Sequence, residues 1–314
     1  MFGFIVKRIL SVIPVLFGIS FIAFGMTFLA PGDPAELILD QNGNYFPNAE
    51  QVTVLREQLG LNKPWYKQYI FWLGQVIYGD LGTSYHTGNT VFAELQSHLP
   101  ITLVLAFIAL VLAGAGGIGL GVFSVMERGK LAERIIQRGF DFLLSVPIFF
   151  MALIFILCMS EVLQILPSSG IKEFDGYFLP AVSLSLPTMA VIGRFTKRKL
   201  LEELGKTYCV VALAHGIKER QMLFLYVLPN AIFPVLALLG NFFGGVLGGS
   251  VVIENIFAVP GIGSLALEAV KFRDYPLLQG YVLVTGGTFV FISLCMDLLL
   301  CYFNPKIKFE DHIL

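Results

Sequence analysis

Long apolar runs separated by shorter polar segments are the dominant pattern along the chain. A helix needs about 20 mostly apolar residues to cross the roughly 30 Å hydrocarbon layer of a membrane. The strands of a membrane barrel alternate between apolar and polar positions, whereas these runs do not. The fourth run is shorter than the others and contains Pro180 and Pro187. The pattern predicts an all-α, polytopic membrane protein with six transmembrane helices, at about 9–30, 100–125, 139–163, 179–193, 229–253 and 278–303.

The lysines and arginines lie mostly on one side of these predicted spans. With the N-terminus in the cytoplasm, fifteen of the 21 basic residues fall on the cytoplasmic side and six on the opposite side. This excess matches the positive-inside rule, so both termini are expected in the cytoplasm. The expected organisation is a first helix (1–30), an external insertion (31–99), a five-helix core (100–303) with an inner loop (194–228), and a cytoplasmic tail (304–314).

Composition excludes two broad classes of protein. Of the 314 residues, 56% are apolar and 14% charged, and the mean hydropathy is +0.78. A soluble domain is about 45–50% apolar and about 25% charged, so a soluble enzyme is excluded. The formal charge of −1 provides no basic field for nucleic acid. The four cysteines form no C-x-x-C pair and are interpreted as small core residues.

Residues that carry chemistry are sparse in this sequence. No zinc motif, nucleophile elbow or Cys/His cluster is present, so no catalytic residue and no metal site is predicted. Gly205-Lys206-Thr207 resembles the end of a phosphate-binding loop, but Leu200 occupies the place of its first glycine. The acids within apolar runs, Asp141, Glu161 and Asp297, lie towards the predicted ends of the spans. An ion-driven carrier is therefore not indicated, and the energy for transport is expected from elsewhere.

Two glycine repeats lie within predicted spans. Gly240, Gly244 and Gly248 are spaced four residues apart, as are Gly117 and Gly121. Such spacing places small residues on one helix face and allows backbones to approach closely. The repeats predict either close packing within the chain or a moving interface between two subunits beside a pore.

Apolar faces also occur outside the predicted spans. In the external insertion, Trp65, Tyr69 and Trp72 recur at helical spacing and predict an amphipathic helix at the headgroup level or against the bundle. The alternative is part of a docking platform for another protein. The inner loop carries a second apolar flank, which either a partner protein or the bilayer surface would cover. Its members are Val210, Val211, Leu213, Ala214 and Ile217.

The inner loop resembles the cytoplasmic signature of permease subunits in binding-protein-dependent ABC importers. Alanines precede Gly216, and a leucine-proline pair follows, with Pro229 thirteen residues after the glycine. Tyr208 leads the segment, as in the peptide/nickel branch of the family, and Val210 stands where the wider signature has a glutamate. Further stretches resemble the first permease subunit of that branch: Ala30 to Pro34, Leu59 to Leu61, Gly79 to Gly82, Glu254 to Phe257, Pro260 to Gly263, Arg273 to Pro276 and Asn304 to Lys306.

This resemblance implies a type I ABC importer permease fold in a bacterial inner membrane. It implies a second homologous permease subunit, two ATPase subunits that carry the ATP and Mg, and an extracytoplasmic binding protein, with no cofactor on this chain. A coupling helix would contact one ATPase through Tyr208, Ala212, Ala214, Gly216, Leu228 and Pro229. The binding protein would dock at Glu254, Asn255, Pro260, Gly261 and Asp274.

The substrate implied by the resemblance is a dipeptide or oligopeptide, with nickel or a metal chelate as the alternative. A passive channel would leave the inner signature unexplained. A membrane-embedded enzyme would need paired acids or histidines at one depth, and the four histidines are scattered along the chain.

Overall fold

A computed structural model of the protein describes residues 2–29, 35–36, 39, 48–58, 60–171 and 174–303. Three of the family-like stretches lie partly or wholly outside these residues, namely Ala30 to Pro34, Leu59 and Asn304 to Lys306, as does the predicted tail. The helices are α1 (Phe2–Leu29), α2 (Ala49–Gln58), α3 (Trp65–Ile77), α4 (Val91–Met126), α5 (Leu131–Ser145), α6 (Ile148–Phe155), α7 (Phe178–Leu204), α8 (Thr207–Ala214), α9 (Glu219–Met222), α10 (Leu228–Ile256), α11 (Ile262–Phe272) and α12 (Tyr275–Phe303).

Five helical segments of the described chain are long and apolar enough to cross a membrane, which confirms five of the six predicted spans. They are Arg8–Thr27, Val91–Met126, Phe174–Leu204, Glu219–Gly248 and Tyr275–Leu298. The sixth is a bent pair, so the total is six when that pair is counted as one span.

The bent pair corrects the prediction of one helix over 139–163. Helices α5 and α6 meet at an angle of 104°. Pro147 has no N–H and restricts the residue before it, so Val146 takes an extended conformation with φ −92° and ψ 127°. A π-helical turn, Ile156–Val162, then completes the second arm.

The fourth span is longer than the prediction of 179–193. Helix α7 runs for 27 residues, and Pro180 lies in its first turn, where a backbone N–H has no intrahelical partner in any case. Pro187 is accommodated within the helix. Most residues in the apolar part of α7 are buried, and the helix packs against α5, α6 and α10. Helix α7 therefore lies at the centre of the bundle that it forms with these three helices.

The chain divides into two compact units. Of the described residues, the first unit contains those in 102–260 and 291–303, and the second contains those in 2–101 and 261–290. In the second unit, the start of α4 packs against α11 and the start of α12 through a buried cluster. Its members are Val91, Leu95, Ile262, Leu265, Ala269 and Leu277.

The glycine repeats behave differently in the first unit. A Cβ on Gly117 would lie 2.8 Å from the carbonyl oxygen of Met189, and one on Gly121 would lie 2.8 Å from that of Gly193. These two glycines therefore allow α4 and α7 to touch along their backbones. A Cβ on Gly240 would meet Met296, which also shows close packing within the chain.

The C-terminal part of the repeat formed by Gly240, Gly244 and Gly248 is not closely packed. Gly248 is exposed, and a Cβ on it would meet no atom within 4 Å. Gly244 is half-buried. A role for this end of the repeat between two subunits remains a prediction.

Candidate functional site

The inner loop folds as two short helices between two long ones. Helix α7 ends at Leu204, and α8 follows after a two-residue link. Helix α9 then leads through a π-helical turn, Leu223–Val227, directly into α10. The predicted signature residues all lie on this helix-turn-helix segment.

One face of α8 is apolar and exposed. Val210, Val211 and Leu213 are 62%, 50% and 42% exposed, and Ala214 is also exposed. The sequence-based prediction of an apolar flank is confirmed for these four residues. The fifth predicted member, Ile217, is half-buried and points into the protein core instead.

The opposite face of α8 rests on a buried cluster. Cys209 is fully buried beside residues of α4, α7 and α9, and Ala212 and Ile217 pack against the same cluster. The buried members are Val122, Val125, Leu200, Cys209, Met222, Leu223, Val227 and Ala231. Helix α8 is thus attached to α7 and α10 by packing.

Gly216 closes α8. Its φ of +81° lies in the left-handed region, which residues with a Cβ adopt only at a cost. The N–H of Ile217 donates to the carbonyl of Ala212 (3.2 Å), and the N–H of Gly216 donates to that of Leu213 (2.9 Å). This pair of bonds is a Schellman motif, in which glycine is the preferred residue. Gly216 and Ala212 therefore shape the loop. Its surface is formed by Tyr208, Val210, Val211, Leu213 and Ala214.

The leucine-proline pair marks the entry into α10. Leu228 is half-buried against the cluster, and Pro229 is exposed at the second position of the helix. Proline provides no N–H for the preceding turn, and the backbone widens there into the π-helical turn. Asn230 Nδ2 donates to the carbonyl of Tyr226 (2.8 Å).

Glu203 organises the start of α8, although sequence analysis did not identify it. Its carboxylate accepts a hydrogen bond from the Tyr208 hydroxyl (2.9 Å) and pairs with Lys206. Burial and this hydrogen bond raise the pKa of Tyr208 above its ordinary value, so the phenol remains protonated. An acid five residues before the signature tyrosine is the only sequence signal for this contact.

Most basic residues of the inner loop have acidic partners. Lys197 Nζ lies 2.6 Å from Glu133 Oε1, and Arg194 pairs with Asp141, so both bind α7 to α5. Arg198, Lys199 and Lys206 pair with glutamates of the loop itself. Of the loop's seven basic residues, the described contacts leave only Lys218 and Arg220 without an ion pair.

Two of the predicted docking residues are buried acids. Glu254 is fully buried, and its Oε1 accepts a hydrogen bond from Thr102 Oγ1 (2.7 Å). Asp274 is also fully buried, and its carboxylate accepts from Ser84 Oγ (2.5 Å) and from two backbone N–H groups, those of His86 and Leu277. The hydrogen bonds of these two carboxylates stabilise the interior of the protein.

The five predicted docking residues differ in their exposure to solvent. Glu254, Asp274 and Gly261 are buried, and a side chain that contacts a binding protein directly must reach the surface. Asn255 and Pro260 are exposed. Docking of a binding protein at these five residues stays a prediction, and Asn255 and Pro260 are the two that direct contact can reach in this structure.

Two family models match nearly the whole chain. Residues 1–106 match the N-terminal region of binding-protein-dependent transport system membrane components, and residues 117–309 match the binding-protein-dependent transport system inner membrane component. The chain belongs to this family. It is a permease subunit of an ABC importer, a multi-pass protein of the bacterial inner membrane, and not an enzyme.

Named relatives are similar over their full length. The glutathione transport system permease protein GsiC of Escherichia coli O6:H1 is 33% identical over 310 residues, which are 99% of this chain and 100% of the relative. The protein of the same name from Shigella dysenteriae serotype 1 is 32% identical over the same shares.

Solved structures show the same fold. An inward-facing structure of the MetNI methionine ABC transporter matches with a TM-score of 0.56 and 18% identity, over 67% of this chain and 96% of that one. An amino acid ABC transporter crystallised with histidines matches with a TM-score of 0.51 and 18% identity, over 75% and 98%. The permease therefore has the type I importer fold that the resemblance implied.

Proposed function

We propose that this permease forms half of a translocation pathway for small peptides and that α8 is the helix through which an ATPase drives it. The other half would be a second homologous permease, with two ATPase subunits below and a binding protein above. The observation that carries this proposal is the exposed apolar face of α8, mounted on a buried cluster.

The exposed face fits a protein partner better than the bilayer surface. Val210, Val211 and Leu213 form a contiguous apolar strip, and such strips on otherwise polar loops are typical of protein interfaces. A helix held on anionic lipid needs free basic side chains. Five of the seven basic residues around α8 are instead committed to ion pairs.

The attachment of α8 explains how force would reach the pathway. Cys209 and Ala212 join it to the cluster shared with α4, α7 and α9, and α9 continues without interruption into α10. A displacement of α8 would therefore move the ends of three long helices together. An ATPase that contacts α8 differently in its open and closed states supplies the differential binding that a two-state switch requires.

For the substrate, the relatives favour a peptide. Glutathione is a tripeptide, and the relatives that bear its name match this chain from end to end. We therefore propose a peptide of two to a few residues, glutathione included, in preference to a nickel chelate.

Uptake by the complete importer in proteoliposomes tests both parts of the proposal. Glutathione, a linear tripeptide and a nickel chelate would each be offered with ATP and with a non-hydrolysable analogue. We expect peptide uptake that requires hydrolysis. Uptake without hydrolysis would contradict the ATP-driven mechanism, and uptake of the nickel chelate alone would contradict the substrate assignment.

A pair of variants tests the role of α8. Val211→Asp places a charge on its exposed face, and Val54→Asp does the same at an equally exposed valine of α2. Val211→Asp is expected to lose the ATPase subunits on purification, and Val54→Asp is expected to retain them. Equal retention by both variants would contradict the assignment of α8.

A further inference from the structure

A cavity of about 870 Å³ lies in the second unit. Its walls come from the end of α1, the turn before α3, α3 itself, the 80–85 segment and the start of α12. Ligand sites in proteins commonly have volumes of about 300–1,000 Å³, so this cavity is large enough for a small molecule or a headgroup. The proposed transport mechanism does not use it.

Several polar groups on the wall already have partners. Gln68 Nε2 donates to the carbonyls of Leu61 (3.0 Å) and Lys63 (2.7 Å). Gln279 Nε2 donates to Thr27 Oγ1, and Asp80 Oδ1 accepts from the N–H of Gly82. These bonds build the wall. The second carboxylate oxygen of Asp80 has no partner among the described contacts, so Asp80 adds a negative charge and an acceptor to the cavity.

The remaining charged groups form a zwitterionic set. Lys63 and Lys67 line the cavity, and Glu57 faces it from the end of α2. Lys63 Nζ lies 5.9 Å from the centre of the Phe71 ring, whereas Lys67 and Glu57 have no partner among the described residues. Burial raises the pKa of Tyr85 to about 12, with smaller contributions from the nearby Asp274 and Tyr275. The Tyr85 hydroxyl therefore stays protonated and can donate a hydrogen bond. A ligand with an anionic group and an ammonium group would satisfy this set.

The position of α3 indicates that this ligand belongs to the membrane. Tyr69 of α3 hydrogen-bonds to Ser20 of the first span (2.8 Å), and the ring centres of Trp72 and Phe24 lie 5.5 Å apart with the rings tilted by 42°. Rings of this kind are enriched at membrane interfaces. The predicted aromatic face of the external insertion therefore packs on α1, as one of its two interpretations expected.

The cavity wall continues into an exposed apolar surface. Ile70 and Phe71 line the cavity and are 66% and 67% exposed, and Ile77 on the same helix is 75% exposed. Side chains of this kind beside a membrane-spanning helix suit acyl chains. A free peptide would use the charged groups but would leave this surface in water.

We propose that the cavity binds the headgroup of a zwitterionic phospholipid of the phosphatidylethanolamine type. Lys63 and Lys67 bind the phosphate, Glu57 accepts from the ammonium group, and the acyl chains lie along Ile70 and Phe71. The lipid fixes α3 and the adjoining insertion at the membrane surface. This inference does not depend on the substrate proposed above.

Native mass spectrometry of the complete importer tests the site. The complex would be taken from nanodiscs that contain phosphatidylethanolamine in a phosphatidylcholine background. We expect one additional retained phosphatidylethanolamine per copy of this chain. A Lys63→Ala/Lys67→Ala double variant should retain it about 30-fold less, which corresponds to the roughly 1 kcal/mol expected for each basic side chain near a lipid surface. Lys271→Ala, an exposed lysine of the same unit that does not line the cavity, should retain it fully.

A third variant tests the polarity of the site. Glu57→Gln should shift the preference towards the anionic lipid phosphatidylglycerol, because the acceptor for the ammonium group is weakened. Equal lipid retention by wild type and the double variant would overturn the proposal. Displacement of the lipid by millimolar trialanine, with the same dependence on Lys63 and Lys67, would also overturn it and would identify a peptide site instead.

Discussion

The inner loop and the turn around Asp274 both carry residues of the family signature, but they use them in opposite ways. In the inner loop, four apolar residues of α8 are exposed, while the Tyr208 hydroxyl donates a hydrogen bond to Glu203. Around Asp274, the charged residue is buried and accepts three hydrogen bonds. A residue of the family signature can therefore lie on the surface or stabilise the interior. The polarity of its side chain does not show which of the two it does.

The largest expected effect is at the turn. Asp274→Ala leaves Ser84 and two backbone N–H groups without their acceptor. Hydrogen bonds to charged groups contribute about 1.5–3 kcal/mol each, so the free energy of unfolding should fall by about 3 kcal/mol or more. Thermal unfolding of the purified complex measures this.

Asp80→Ala is the matched control, because Asp80 is exposed and accepts one hydrogen bond from the N–H of Gly82. Its expected loss is about 1.5 kcal/mol, because one hydrogen bond to a charged group is lost instead of three. If the two variants unfolded at the same temperature, the buried network would not be the stabilising feature that distinguishes this turn.

A smaller effect is expected where the inner loop turns. Gly216→Ala must take a φ near +81° with a Cβ, which costs about 1–2 kcal/mol. No atom lies within 4 Å of that Cβ, so the loss would come from the backbone alone. We expect lower thermal stability and reduced coupling of ATP hydrolysis to uptake.

Gly205→Ala provides the comparison within the same loop. Gly205 has a φ of −76°, and a Cβ there would make only ordinary contacts. Its stability and its coupling should match wild type. Indistinguishable behaviour of the two alanine variants would show that the left-handed turn has no special role.

The smallest effect on stability is expected on the exposed face of α8. Val210→Ser changes a side chain that is 62% exposed, and such changes usually alter the free energy of unfolding by less than about 0.5 kcal/mol. ATP-driven uptake should nevertheless fall, because the ATPase loses an apolar contact. If Val210→Ser unfolded at a lower temperature and transported normally, α8 would stabilise the fold instead of forming a contact surface. The contrast with the turn around Asp274 would then be wrong.

Sequence reasoning predicted the spans well because membrane burial depends on runs of apolar residues. It predicted the exposed flank of α8 for a related reason, since helical periodicity fixes which residues share a face. It missed the break at Pro147, because the apolar run continues through that position and composition does not register the loss of a backbone N–H. The prediction of a short fourth span was wrong in the opposite sense. Helix α7 continues through Pro187, because packing against three neighbouring helices stabilises it.

The acids show a different limit of sequence reasoning. The partner of Glu254 is Thr102, 152 residues away, and the partners of Asp274 include Ser84, 190 residues away. No local pattern identifies contacts at such separations. Burial of these carboxylates became visible only with the fold.

Crosslinking from α8 in the complete importer, in a background without the native cysteines, directly measures whether α8 contacts an ATPase subunit. Ala214→Cys, on the exposed face, is compared with Lys63→Cys in the external insertion. We expect a crosslink between Ala214→Cys and an ATPase subunit whose yield changes when ATP is added, and none from Lys63→Cys. A crosslink from Lys63→Cys with none from Ala214→Cys, or labelling of Lys63→Cys from the cytoplasmic side, would contradict this expectation.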